Sequence, residues 1–256
     1  MQNELCKNQI EQLNTIGSIG SSILYYDQLT STFDKIRELE LKDGLTVVCS
    51  KQTCGSGRLG RKWESPKGGI YFTFALTPPY NGFDIPFITT VCALGVQKAL
   101  DKYIVCRIKW PNDIVADGKK ICGILTRNIV SSGTVNAVLV GIGVNVNNDT
   151  FPGDLPYASS LKTILGKEVD ENNILAEIIN CINNVYDHMS TEEILREYTA
   201  ACVNPGREVT IHYASDGKSA KGICTGILAD GSMNVEIDGK KVNVHSGEVS
   251  VEGIYS

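Results

Sequence analysis

Gln52 to Trp63, QTCGSGRLGRKW, places three glycines, two arginines, a lysine and a tryptophan on one short loop. Glycine permits backbone conformations closed to other residues, so such a loop can wrap N–H groups and cationic side chains around an anion. Trp63, beside those cations, is a natural cover for a flat ring. Elsewhere Lys109, Asn112 and Asp113 flank Pro111, Lys120 stands three residues before Gly123, and Gly141, Gly143 and Asn145 share one apolar run. Ser31 and Thr32 contribute adjacent hydroxyls. Charge compensation at a bound anion is the chemistry these residue types support.

Two familiar readings of the loop fail on context. Gly55 to Gly60 formally matches GxGxxG, but that fingerprint needs a helix opening at the glycines, and Pro66, Gly68 and Gly69 follow too closely for one to start. The same stretch has Walker A spacing, yet Arg61 and Lys62 stand where that motif requires Lys and Ser/Thr.

The elements that must position these residues read as follows. Leu45–Cys49 and Ile70–Leu76 are apolar strands on either side of the loop. Upstream, Leu5–Leu13 reads as a short helix, Ile23–Tyr26 as a strand, and Phe33–Leu41 as a helix capped by Ser31 or Thr32. Phe87–Tyr103 has the amphipathic period of a long helix, followed by a strand over Val105–Trp110. Ile114–Ala116 and Ile121–Thr126 flank the hairpin signal Asp117-Gly118. Val135–Val146 is another strand, whose Gly141 and Gly143 imply close approach to its backbone. Asp170–Met189 and Thr191–Cys202 are helices, the second opened by a Ser190…Glu193 capping box. From Arg207 onward only short alternating strands remain, with turns at Asp216-Gly217, Asp230-Gly231 and Asp238-Gly239.

The 256-residue chain is 42% hydrophobic and 21% charged, as globular proteins are, and its net charge of −5 disfavours general affinity for nucleic acid or anionic membranes. Anion binding must therefore be local. No apolar stretch is long enough to span a bilayer, and the first residues lack a signal-peptide pattern. Nine scattered cysteines without a CxxC pair read as reduced thiols of a cytoplasmic protein. His188, His212 and His245 lie far apart, so no metal site is expected.

Taken together, Ser31-Thr32, the Gln52–Trp63 loop, Lys109–Asp113 with Lys120-Ile121-Cys122-Gly123, and Gly141–Asn145 resemble the biotin protein ligases in order and spacing. The family pattern is close to GRGRxGRxW, KWPND, KxxGIL and a GxGxN strand, and the resemblance covers essentially the whole chain. It implies an α+β fold: a mixed β-sheet catalytic domain over 1–203 with helices on one face, and an SH3-like C-terminal β-barrel over 204–256. It implies a ligase that joins biotin to ATP, with Mg²⁺, as biotinyl-5′-AMP, then passes biotin to a lysine of a biotin carboxyl carrier protein.

By resemblance, Arg58 and Lys120 are the catalytic cations bridging carboxylate and phosphate. Ser31, Thr32, Phe33, Gln52, Gly55, Ser56, Gly57, Gly123 and Gly143 join them around biotin. Arg61, Trp63, Lys109, Asn112, Asp113 and Asn145 complete the ATP site, with Trp63 stacking on adenine. Residues 1–20 are too few for a helix-turn-helix domain, so no DNA binding is expected; neither is a membrane partner, and a homodimer is left open. The chain departs from the family pattern twice: Ser56 replaces an arginine, and Phe33 stands where asparagine is usual.

Overall fold

The computed structural model describes residues 4–10, 12, 16–213, 217–246 and 249–252. After a single helical turn, α1 (Lys7–Ile10), the chain forms β1 (Ser22–Tyr26), α2 (Thr32–Arg37) and β2 (Leu45–Cys49). β1 and β2 are parallel, and α2 supplies the crossover that a parallel pair requires. The Gln52–Trp63 loop leads to β3 (Gly69–Leu76) and then α3 (Ile88–Leu100). Next come β4 (Arg107–Lys109), β5 (Asp113–Ala116), β6 (Lys119–Ser131) and β7 (Thr134–Asn145). Three helices follow: α4 (Leu161–Leu165), α5 (Glu171–His188) and α6 (Thr191–Ala201).

The seven strands form one mixed sheet in the order β1-β2-β3-β7-β6-β5-β4. Its central strands are buried on both faces, and Phe72, Phe74, Val140, Ile142 and Val144 face a large core built with α3, α5 and α6. The long helices thus share one face, as expected. The short α2 is the exception, because Phe33 and Ile36 on it pack with Leu45, Val47, Ala75 and Leu139 on the opposite face. That leaves this second face partly bare.

β8 (Glu208–Tyr213), β9 (Ser219–Ile227), β10 (Met233–Ile237), β11 (Lys240–Val244) and β12 (Val249–Glu252) form an antiparallel sheet ordered β11-β10-β9-β8-β12. Among the described residues β11 and β12 are not paired, so the expected barrel is an open five-stranded sheet. Its buried Val209, Ile211, Cys224 and Val235 are continuous with the main core. The β8 residues cannot bury their apolar face alone, and the main domain supplies the missing cover.

Several boundaries differ from the sequence reading. α2 ends at Arg37 rather than Leu41, and β6 runs on to Ser131 through a polar half that alternation alone did not mark. α4 was not anticipated, being only five residues long, although Ser160 caps it by accepting from Thr163 N. Of the expected Leu5–Leu13 helix, Glu11 and Leu13 lie outside the described residues, as do Asp216, Gly247 and Glu248. Among the described residues no helix is long and apolar enough to cross a membrane.

Candidate active site

Strand register builds the floor. Lys109 pairs with Asp113, Asp113 with Gly123, Gly123 with Gly143, and Gly143 with Tyr71, so one row crosses five strands. Neighbouring strands lie about 4.8 Å apart, which brings an ion pair beside two positions without side chains. A β-carbon on Gly143 would lie 2.4 Å from Trp63 Nε1, and one on Gly123 2.9 Å from the same indole. The close approach inferred from these glycines is therefore made, in this structure, by the loop's tryptophan.

Lys120 joins the row through a β-bulge. Val115 pairs with Lys120 although Ile114 pairs with Cys122, so Ile121 is the extra residue. Three residues apart on a regular strand, Lys120 and Gly123 would face opposite sides; the bulge puts both on the site face. Ile121 and Cys122 are accordingly both buried in the core beneath. Lys120 Nζ then reaches Asp113 Oδ1 at 2.6 Å and stands 5.1 Å from the centre of the Trp63 ring.

The second cation comes from the loop. Arg58 Nη1 donates to Asn112 Oδ1 at 3.1 Å, and its Nη2 donates to the carbonyl of Ser246, two residues past β11. Burial lowers the Arg58 guanidinium from its ordinary value, and Asp113 opposes that shift. Lys109, 7% exposed, is likewise lowered chiefly by burial, with Asp113 opposing at 3.9 Å. Asp113 is thus the carboxylate facing Lys109, Lys120 and Arg58. Three cations against one anion leave this spot positive within an acidic chain, which is the local anion site that composition demands.

Polar groups close the other end. Gln52 Oε1 accepts from Thr32 N at 2.8 Å and from Thr32 Oγ1 at 3.2 Å, while Gln52 Nε2 donates to Ser65 Oγ at 2.9 Å. Thr32 Oγ1 also lies 2.7 Å from Thr73 Oγ1. These bonds hold the Gln52 amide and the Thr32 hydroxyl in fixed orientations at the edge of an apolar patch made by Phe33 and Leu125.

Between the two ends lies a cavity of about 660 Å³, lined by Thr32, Phe33, Gln52, Ser56, Gly57, Arg58, Arg61, Trp63, Lys109, Asn112, Asp113, Lys120, Gly123, Gly143 and Asn145. Ser31 and Gly55 are not among its lining residues. Ser31 caps α2 by accepting from Phe33 N, and a β-carbon on Gly55 would meet the Trp63 carbonyl at 2.5 Å, so both support the wall from behind. Ser56 makes an isolated β-bridge to Lys62 within the loop, and Asn145 Nδ2 donates to the Ser159 carbonyl.

Sequence reasoning missed a second wall, Phe151 with Asp154 to Ala158. It is clipped to the site by Lys120 N donating to the Tyr157 carbonyl and Ser159 N donating to the Lys120 carbonyl. It missed Thr73 too, since a threonine in a strand carries no signal of its own. Volume and lining fit a small molecule with one anionic end, one flat ring and one apolar body.

The family profile described as "Biotin/lipoate A/B protein ligase family" matches residues 24–145, which contain most of this site. The bifunctional ligase/repressor BirA of Bacillus subtilis is 35% identical over 182 residues, covering 67% of this chain and 56% of that protein. The biotin–[acetyl-CoA-carboxylase] ligase of Paracoccus denitrificans is 37% identical over 118 residues, 42% of this chain and 48% of that one. The chain thus spans about half the length of these curated relatives. The biotin protein ligase of Aquifex aeolicus, solved in complex with biotin and ATP, superposes with a TM-score of 0.80 at 28% identity, over 91% of this chain and 99% of that one. Fold, site residues and these likenesses agree: residues 24–145 form a domain of the biotin/lipoate A/B protein ligase family.

Proposed function

We propose that the chain is an ATP-dependent biotin–protein ligase that makes biotinyl-5′-AMP and transfers the biotinyl group to a lysine of a biotin carboxyl carrier protein. The observation that carries this reading is the tethering of Arg58 and Lys120 to the adjacent residues Asn112 and Asp113, at one end of a ligand-sized cavity. Two anions must meet for a carboxylate to attack the α-phosphorus of ATP, and cations fixed beforehand lower that barrier without reorganising.

In the first half-reaction a biotin carboxylate oxygen bonds to the α-phosphorus and pyrophosphate leaves. Arg58, with its planar fork, spans carboxylate and phosphate oxygens, while Lys120 exchanges Asp113 for the same anionic pair. Gln52 and Thr32 offer the ureido ring its hydrogen bonds; Trp63 lifts from Gly123 and Gly143 to cover the adenine, and the strand it leaves, without side chains, lets the acid lie against the sheet. In the second half-reaction the acceptor amine attacks the acyl carbon, AMP departs, and the nitrogen loses a proton.

Mg²⁺ bound with the triphosphate would neutralise part of its charge. Asp113 and Asn112 present the hard oxygen donors this ion takes, consistent with a cation held mainly through phosphate.

Incubating the protein with ATP, Mg²⁺ and either biotin or lipoate, then weighing the product, tests the proposal. Biotinyl-adenylate with biotin, and biotinylated carrier domain after its addition, are expected. Adenylate from lipoate alone, or from neither acid, overturns it.

A further inference from the structure

We propose that Phe33 is the end wall of the acid-binding trough and fixes the length of carboxylic acid the site accepts; this deepens, and rests on, the ligase reading above. On the site face β6 presents Gly123, Leu125 and Arg127, in register with Gly143, Gly141 and Leu139 of β7. The trough has no side chain of its own at the first pair, where the Trp63 indole rests and Lys120 Nζ would stand 3.3 Å from a Gly123 β-carbon, and it ends at Gly141. A β-carbon on Gly141 would lie 2.2 Å from Phe33 Cε2, so the ring rests on this glycine with no room between them.

The wall is rigid. Phe33 is 5% exposed and packs with Leu45, Val47, Ala75 and Leu139, and the Arg127 guanidinium stands 5.0 Å from its ring centre. Gly143 and Gly141 are two residues apart, about 7 Å along the strand. An acid with its carboxylate at Lys120 and Arg58 therefore directs its far end at Phe33. Lengthening the acid drives that end into a ring that the α2–sheet core does not let retreat.

Biotin and homobiotin, whose side chain is one methylene longer, measure this directly. The readouts are calorimetric affinity without ATP and kcat/KM for adenylation, for wild type, Phe33→Ala and Phe33→Leu. Wild type is expected to prefer biotin by at least about tenfold, within the range one methylene contributes in an apolar pocket. Phe33→Ala should shrink the ratio to within about threefold, and Phe33→Leu should fall between. Circular dichroism establishes that each variant folds, and Phe33→Leu retains the test if Phe33→Ala does not. Equal wild-type affinity for the two acids, or a folded variant with the wild-type ratio, overturns the end wall. Because affinity is read without ATP, acid binding without adenylation would instead refute the ligase reading and leave the wall measured.

Discussion

Asp113 holds the site's cations in place before any substrate arrives: Lys120 at 2.6 Å, Lys109 at 3.9 Å, and Arg58 through its neighbour Asn112. Removing one cation from such an arrangement costs transition-state stabilisation, not fold. Lys120→Ala is expected to lower adenylate formation by roughly 10²–10³, about 3–4 kcal/mol, with an unchanged melting profile. Near-normal biotinyl-adenylate from the folded variant, followed by mass, would remove Lys120 from its assigned role. At this scale residue type marked out the loop that carries Gln52, Arg58 and Trp63, the resemblance added Thr32 and Lys120, and the structure brings all five to one cavity. Thr73, Ser65 and the Ser246 carbonyl stayed hidden, because each matters only through a partner that the fold brings from far along the chain.

Elements decide which face a side chain serves. Lys120 reaches the site only because Ile121 bulges, and one more apolar residue in an apolar run gives no sign of that. The loop around Arg58 bonds largely to itself: Gly57 N donates to the Arg61 carbonyl, Arg61 N to that of Arg58, and Trp63 N to that of Gly55. Leu59 occupies the left-handed region at φ 54°, a conformation that costs a leucine roughly 1 kcal/mol or more. Such a loop opens easily, so trypsin should cut after the exposed Arg61 and Lys62 in the free protein. Biotin with ATP should suppress those cuts, and equal cleavage in both states would show that the loop does not close over ligands. The first turn of α5 makes a separate prediction. Glu171 is 1% exposed, accepts from Leu5 N and from Asn147 Nδ2, and is pushed up to about 7, mainly by burial. The folded state therefore holds its proton more tightly than the unfolded chain. That stabilisation is complete below the ordinary carboxylate range and is lost as pH rises through about 7. Urea midpoints should fall between pH 5 and 8 by an equivalent of roughly 2–3 kcal/mol, a slope that Glu171→Gln flattens. Parallel pH profiles for the two proteins would exclude this residue as the source.

Across the whole molecule, the two sheets share one core and meet at Trp110. Its backbone N donates to Asn204 Oδ1 at 2.8 Å and its Nε1 donates to the Gly231 carbonyl at 2.9 Å. Trp110→Phe leaves a cavity where the second indole ring stood and orphans that carbonyl, a loss of about 2–3 kcal/mol, which lowers the melting point of a chain this size by roughly 4–10 °C. Calorimetry should show the shift as one transition moving, since Val209, Ile211 and Cys224 belong to the same core as the main sheet. A separate early transition of the C-terminal sheet would contradict that continuity. The composition of the last fifty or so residues announced an all-β segment, because Asp-Gly turns and alternation are local signals. How its strands close was not legible: pairing of β8 with β12 joins stretches some forty residues apart, and loop-level signals do not reach that far.

The chain has two tryptophans, and the structure gives them opposite circumstances. Trp110 is 1% exposed and doubly anchored at the junction of the sheets. Trp63 lies over bare glycines beside the Lys120 ammonium, and among the described residues its buried Nε1 finds no hydrogen-bond acceptor. Any ligand that enters the cavity must displace or cover the second indole, whereas the first, although it also lines the cavity wall, is held in place by its two hydrogen bonds. Intrinsic ultraviolet emission of the unmodified protein is therefore an optical gauge of cavity occupancy, carried mainly by Trp63. A Trp63→Phe variant should emit a signal that titration with biotin and ATP leaves flat, and a signal that still responds would trace the change to Trp110.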